Sequence, residues 1–199
     1  MVYSSRCWTV WSSPSAPPDD RSSTATDVHP SARPGAQAPA LELPVVGGES
    51  FRLGDRAPRL FTMLVFNRGL HCPVCRAQLA ELDARFGELA GKGIDVVSIS
   101  AETEDRATRM RDDWSLENVP LAYGLSETQM RDWGLFVSRA IKDDEPAVFN
   151  EPALFLIAPD GTVYYEAVLS MPAGRPRLDD LLTSIEFWTA NDYPARGGS

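Results

Sequence analysis

Asn67-Arg68-Gly69-Leu70-His71-Cys72-Pro73-Val74-Cys75-Arg76 decides how the rest of the chain is read. It ends an apolar run over 60–67, in which Leu60, Phe61, Met63, Leu64, Val65 and Phe66 are all hydrophobic. A near-continuous run of that length predicts a strand buried on both faces. Pro73 suits the first position of a helix, where its missing N–H would be unpaired anyway. Cys75, Leu79, Leu82, Phe86 and Leu89 then recur at three- and four-residue spacing. That makes one buried stripe of a helix, which Gly91 and Gly93 end. The motif therefore stands where a buried strand gives way to a helix N-terminus.

This placement carries chemistry. Cysteines three apart on a helix lie one turn apart on one face, close enough to bridge. Cys72 is at the helix start, where unpaired backbone N–H groups and the helix dipole favour a thiolate. Arg68, His71 and Arg76 add positive charge nearby, and His71 is read as tuning Cys72. Cys75 belongs to the apolar stripe. The expectation is an asymmetric pair, with Cys72 an exposed attacking thiol and Cys75 a sheltered resolving thiol. Inert packing and zinc are the competing readings. Zinc usually takes four ligands, and only His29, His71 and the distant Cys7 are on hand, so no metal is expected. A CxxC after a buried strand is the redox context.

Outward from the motif, 94–100 reads as the next strand and 103–117 as a charged surface helix. A short strand is expected at 120–124. A serine-capped helix is expected over 126–133. Residues 135–151 read as a loop or short helix. A hairpin spans 153–169 around Pro159-Asp160-Gly161, and Leu178, Leu181, Leu182, Ile185 and Trp188 mark an amphipathic helix over 177–189. Alternating strands and helices followed by a hairpin predict an α/β fold, a central mixed sheet flanked by helices on both faces.

Residues 1–40 differ in texture. They hold six of the 16 prolines and eight serines, too little apolar surface to offset ordering entropy. They are read as a flexible leader, and 41–199 as one domain. Acidic residues outnumber basic ones, 28 to 19, for a net charge of −9. That argues against nucleic acid as a partner. No stretch has the length and apolarity of a membrane helix, and no signal peptide is evident. The three cysteines are too few for a secreted disulfide framework. A cytoplasmic location is expected.

From about Leu41 onward the chain resembles the peroxiredoxin-like (AhpC/TSA-like) branch of the thioredoxin superfamily that carries CxxC. The resemblance lies in the strand, Arg68-Gly69, Cys72-Pro73-Val74-Cys75-Arg76, the Leu79 and Leu82 spacing, and Ala153-Leu154-Phe155-Leu156-Ile157 with Asp160-Gly161. It implies a thioredoxin-like fold and thiol redox activity without a cofactor. The peroxiredoxin signature Pro-x-x-x-Thr-x-x-Cys puts Cys75 on the peroxidatic position, Cys72 on the threonine and Arg68 on the proline. The position of the family's catalytic arginine is Pro152. Three of four signature residues are thus replaced, which weakens the case for fast peroxide chemistry. The thioredoxin pattern instead asks for CxxC and a facing cis-proline. Glu151-Pro152 resembles that element, with the Glu151 backbone exposed for a substrate chain to pair with. Phe66 stands where thioredoxin has a buried aspartate.

The leading expectation is a thiol–disulfide oxidoreductase in which Cys72 attacks and Cys75 resolves. The site is completed by Arg68, His71, Pro73, Glu151 and Pro152. Substrates would be protein or small-molecule disulfides, with a thioredoxin-like or low-molecular-weight thiol as reductant. A thiol peroxidase with Cys75 peroxidatic is the alternative, and a non-enzymatic redox switch the third reading. A homodimer is compatible with the resemblance.

Overall fold

Strand β3 is the centre of the molecule and sets the rest. In the computed structural model, which describes residues 32–55 and 58–198, the elements in order are β1 (Glu42–Leu43), β2 (Phe51–Arg52), β3 (Phe61–Phe66), α1 (Pro73–Ala84), α2 (Phe86–Gly91) and β4 (Ile94–Ile99). There follow α3 (Glu104–Trp114), β5 (Leu121–Ala122), α4 (Glu127–Asp132), β6 (Val137–Arg139), β7 (Val148–Asn150), β8 (Ala153–Ile157), β9 (Val163–Val168) and α5 (Leu178–Ala190). The main sheet has the order β5-β4-β3-β8-β9. β3 runs parallel to β4 and antiparallel to β8, so Met63 faces Val96 on one side and Leu156 on the other.

Every residue of β3 is buried. Successive side chains point to opposite faces, and each face has its own core. Met63 and Val65 pack with Leu79 and Leu82 of α1, Met110 and Trp114 of α3, and Leu181 and Ile185 of α5. Leu64 and Phe66 pack with Leu41, Leu43, Met130 and Trp133 on the other face. The expected mixed sheet with helices on both faces is what the chain forms.

Several details differ from the sequence reading. The helix expected to run to Gly91 breaks at Arg85, whose ψ of 11° leaves helical geometry, and restarts as α2. Leu89 is fully buried, while Phe86 is only partly so. Residues 135–151 contain the β6–β7 hairpin; strands of three residues are too short to show an alternating pattern. Residues 32–40, assigned by composition to the leader, are hydrogen-bonded to the β8–β9 hairpin through Gly35 N to Val163 O, Val163 N to Ala36 O and Ala38 N to Gly161 O. Backbone pairing of this kind leaves no trace in composition. Cys7, Trp8, Trp11 and His29 lie outside the described residues.

One buried carboxylate fixes where α1 lies. Asp83, in its last turn, accepts from the backbone N–H groups of Asn118 (2.8 Å), Val119 (2.9 Å) and Glu117 (3.2 Å). Burial opposes its ionisation, but these amides and the Asn118 side chain outweigh burial and hold the carboxyl below the usual aspartate range. Asp83→Ala should cost about 3 kcal/mol in urea unfolding at neutral pH, because it leaves buried donors unpaired. The wild-type contribution is present above the unfolded aspartate pKa and is lost as pH falls through the lower folded value. The variant's deficit should therefore shrink on acidification.

Candidate active site

β3 ends at Phe66, and four polar contacts hold the turn that follows. The Asn67 side-chain amide donates to Ser98 Oγ and Ile99 O, both at 2.9 Å, and its Oδ1 accepts from Gly69 N at 2.9 Å. Asn150 donates to Asn67 O at 3.1 Å. Gly69 has φ +103°, and a Cβ there would collide with the Glu102 carboxylate. Only glycine fits such a position readily. Glu102, itself buried, accepts from Leu70 N at 2.8 Å and pairs with Arg106.

The chain then enters α1 with Cys72 as its N-cap and Pro73 at the first helical position. The Cys75 N–H points at Cys72 Sγ at 3.4 Å, as the side chain of an N-cap requires. Arg68 N donates to Cys75 Sγ at 3.3 Å. The Arg175 guanidinium reaches the pair from the loop between β9 and α5, with Nη2 at 3.1 Å from Cys75 Sγ and 4.0 Å from Cys72 Sγ. Gln78 Oε1 and Pro172 O hold that guanidinium in place. Both cysteines are free thiols.

The expected exposed attacking thiol is not observed: Cys72 is 1% exposed and Cys75 0%. Arg175, from the loop before α5, lies against both sulfurs. A cavity of about 10 Å³, room for about one water, lies on the far side of Arg175 and Gln78, lined also by Pro152 and Leu169 but by neither cysteine.

Burial does not make the two sulfurs alike. The Cys72 thiol is pushed down to about 5. The Cys75 thiol donates to it, and the Cys75 N–H, Arg175 and Arg68 also favour its charge, against the opposing effect of burial. Cys75 is pushed strongly up, because its proton serves that hydrogen bond and because it is buried. One negative charge on the pair thus resides on Cys72.

The other residues named from sequence fall into two groups. Arg68, His71 and Glu151 cluster beside the pair, under the β6–β7 hairpin. The Arg68 side chain pairs with Glu151 at 3.2 Å and lies over the Phe149 ring at 5.0 Å. Arg76 instead points to Asp113 O and plays no part. Phe66 is a core residue.

The expected cis bond is corrected: no peptide bond among the described residues is cis, and Glu151-Pro152 is trans. Nor is the Glu151 backbone open for pairing. Its N–H donates to Phe136 O at 2.8 Å, its C=O accepts from Asn150, and its carboxylate accepts from Ser138 Oγ at 2.7 Å. Pro152 sits just before β8, where proline is tolerated because no donor is needed. Arg175 and Gln78 were not found from sequence. Gln78 lies one turn after Cys75, so spacing offered a signal; Arg175, 100 positions away, offered none.

Residues 34–166 match the model of the AhpC/TSA family. The chain belongs to this family. It is accordingly a thiol-dependent oxidoreductase or peroxidase. No curated protein matches it. Among solved structures it is similar in fold to a 2-Cys peroxiredoxin of Plasmodium vivax in the reduced state, with 18% identity and a TM-score of 0.66 over 84% of this chain and 90% of that one. AhpC of Mycobacterium tuberculosis matches at 16% identity and 0.66 over 83% and 98%. A peroxiredoxin-like protein of Aquifex aeolicus matches at 19% and 0.63 over 80% and 90%. No helix among the described residues of this family member is long and apolar enough to cross a membrane.

Arg175→Met should raise the Cys72 pKa by roughly one unit, since it removes a nearby positive charge from the thiolate. Titration of thiolate ultraviolet absorbance, in a Cys7→Ser, Cys75→Ser background that leaves one sulfur of the three, checks this.

Proposed function

We propose that the chain is a thiol–disulfide oxidoreductase in which Cys72 attacks and Cys75 resolves. The observation that carries this reading is the N-cap geometry. Cys72 Sγ receives the Cys75 N–H at the start of α1, and a neutral Cys75 thiol stands behind it as donor. A thiolate is the attacking species in disulfide exchange.

The steps follow from that arrangement. Cys72 thiolate bonds to one sulfur of a substrate disulfide, and the other leaves as a thiolate. Cys75 loses its proton, bonds to Cys72 Sγ and displaces the second substrate sulfur. The two cysteines end as a disulfide, and the substrate has gained two electrons. A thioredoxin-like or low-molecular-weight thiol then returns the pair to the reduced state. Arg175 stabilises charge on whichever sulfur carries it during the transfer, being within 4.0 Å of both. Because both sulfurs are buried, a substrate docks on the surface and displaces the Arg175 loop.

Cys72→Ser should lose disulfide turnover by several orders of magnitude. Cys75→Ser should accumulate a mixed disulfide with a cysteine-containing peptide, seen by intact-mass spectrometry. Turnover of the Cys72→Ser variant at the wild-type rate overturns the scheme. The wild-type attack rate should rise with pH through about 5 and then level. A free cysteine instead rises through about 8.5.

A thiol peroxidase is the second reading, and one observation favours it. Both Arg68 N and Arg175 Nη2 are aimed at Cys75 Sγ, at 3.3 and 3.1 Å. Donors so placed would stabilise the Cys75 thiolate that attacks a peroxide, whose O–O bond breaks with the departing oxygen taking the charge. Cys75 would become a sulfenic acid, and Cys72 would condense onto it with loss of water. Dimedone labelling of Cys72→Ser after hydrogen peroxide should then mark Cys75; absence of label counts against the peroxidase.

A further inference from the structure

His71 has a buried ring in which neither nitrogen finds a hydrogen-bond partner among the described residues. Its side chain is 4% exposed. The ring stacks edge-on against Phe149 at 4.9 Å and places Nε2 at 4.0 Å from Glu145 Oε1. A buried imidazole left without a partner is costly, so a role that needs the ring free to change state explains its retention.

The charges around it are unbalanced. Arg68 faces it from the same loop, Cys72 from the N-cap, Glu145 from the β6–β7 hairpin and Glu102 from the segment after β4. Glu151 pairs with Arg68, and Arg106 pairs with Glu102 while also donating to Asp144 O at 2.8 Å. Two arginines thus meet three carboxylates; a thiolate at Cys72 adds a fourth negative charge and Arg175, 4.0 Å from its Sγ, a third positive one, which leaves one negative charge in excess. Protonation of His71 offsets that charge, and the resulting N–H has Glu145 within reach. Burial holds His71 below the ordinary 6.5, and Arg68 acts the same way, whereas Cys72, Glu145 and Glu102 favour the protonated ring.

We propose that His71 is the acid of the exchange, its proton tied to the redox state of Cys72: the ring holds a proton beside the Cys72 thiolate and releases it when Cys72 enters a disulfide. This rests on Cys72 being the sulfur that carries the charge. The proton has a destination. As Cys72 bonds to one substrate sulfur and the substrate S–S bond breaks, the departing thiolate takes the His71 proton. In the second step the departing thiolate takes the proton that Cys75 gives up. Two protein thiols are oxidised, one substrate disulfide is reduced, and two substrate thiols leave protonated. The coupling operates around the His71 midpoint, on the acidic side of 6.5.

The test is an NMR titration of the His71 ring in protein labelled with ¹³C-histidine. The chain has only two histidines, so a His29→Gln background leaves a single imidazole signal. The reduced protein should titrate below 6.5, and the diamide-oxidised protein lower still, by about one unit. Reduced Cys72→Ser, which lacks the thiolate, should titrate like the oxidised form. Glu145→Gln should lower the midpoint in both redox states while keeping the difference between them. Equal midpoints in the reduced and oxidised wild-type forms overturn the proposal, as does reduced Cys72→Ser titrating like reduced wild type. Disulfide turnover by Cys72→Ser is scored separately, so loss of the coupling and failure of the oxidoreductase reading give different results.

Discussion

A single negative charge has to be held between two sulfurs that water does not reach, and most of the local structure answers that requirement. A buried charge is tolerated only when it is paired and hydrogen-bonded. The N-terminus of α1 supplies the Cys75 N–H, the turn after β3 supplies the Arg68 N–H, and the loop before α5 supplies a guanidinium. These three donors come from separate parts of the chain. They meet only because β3 is packed on both faces and because Asp83 ties α1 to 117–119. Rigidity of the core is therefore part of the electrostatics of the pair.

The two functional readings differ in which sulfur uses those donors. Helix geometry and the proton on Cys75 place the resting charge on Cys72. The shortest approach of Arg175 is nevertheless to Cys75. These are compatible, because the first describes the ground state and the second describes where charge can be received during a transfer. In disulfide exchange Cys75 becomes a thiolate only transiently, after Cys72 has entered the mixed disulfide and lost its own charge. Arg175 then stands beside the new thiolate without having to move. The same contact serves a peroxidatic Cys75, so geometry at the sulfurs alone does not separate the chemistries. Substitution of the threonine and arginine positions by Cys72 and Pro152 is what weighs toward exchange.

Legibility in the sequence followed the range of the forces involved. The buried strand 60–67, the helix start at Pro73 and the Leu79 and Leu82 stripe are local patterns, and each appears within a residue or two of its place. So does the Ser126 cap, which forms a capping box with Gln129. Contacts across the fold were less visible. Arg175 is one of many arginines until the β9–α5 loop is folded over α1. Glu102 shows no motif, yet its carboxylate is why position 69 is glycine. The conformation of Glu151-Pro152 was misjudged, because the Phe136 carbonyl that occupies the Glu151 N–H comes from a segment whose strands are too short to read. Exposure of Cys72 was misjudged for a related reason: helix position predicts charge, but cover depends on a distant loop.

Cover and charge have a joint consequence for the redox balance of the pair. In the reduced state Arg175 faces a thiolate. Once Cys72 and Cys75 are joined, that charge is gone, and the guanidinium retains only Gln78 Oε1 and Pro172 O, both neutral acceptors. Charge-assisted hydrogen bonds are about twice as strong as neutral ones, so the contacts of Arg175 favour the dithiol over the disulfide. Stabilising the reduced form makes a pair a stronger oxidant. The features that make Cys72 a ready nucleophile therefore also weaken the thermodynamic drive to reduce a substrate. A pair of this kind works as a net reductant only when its own reductant is held in excess.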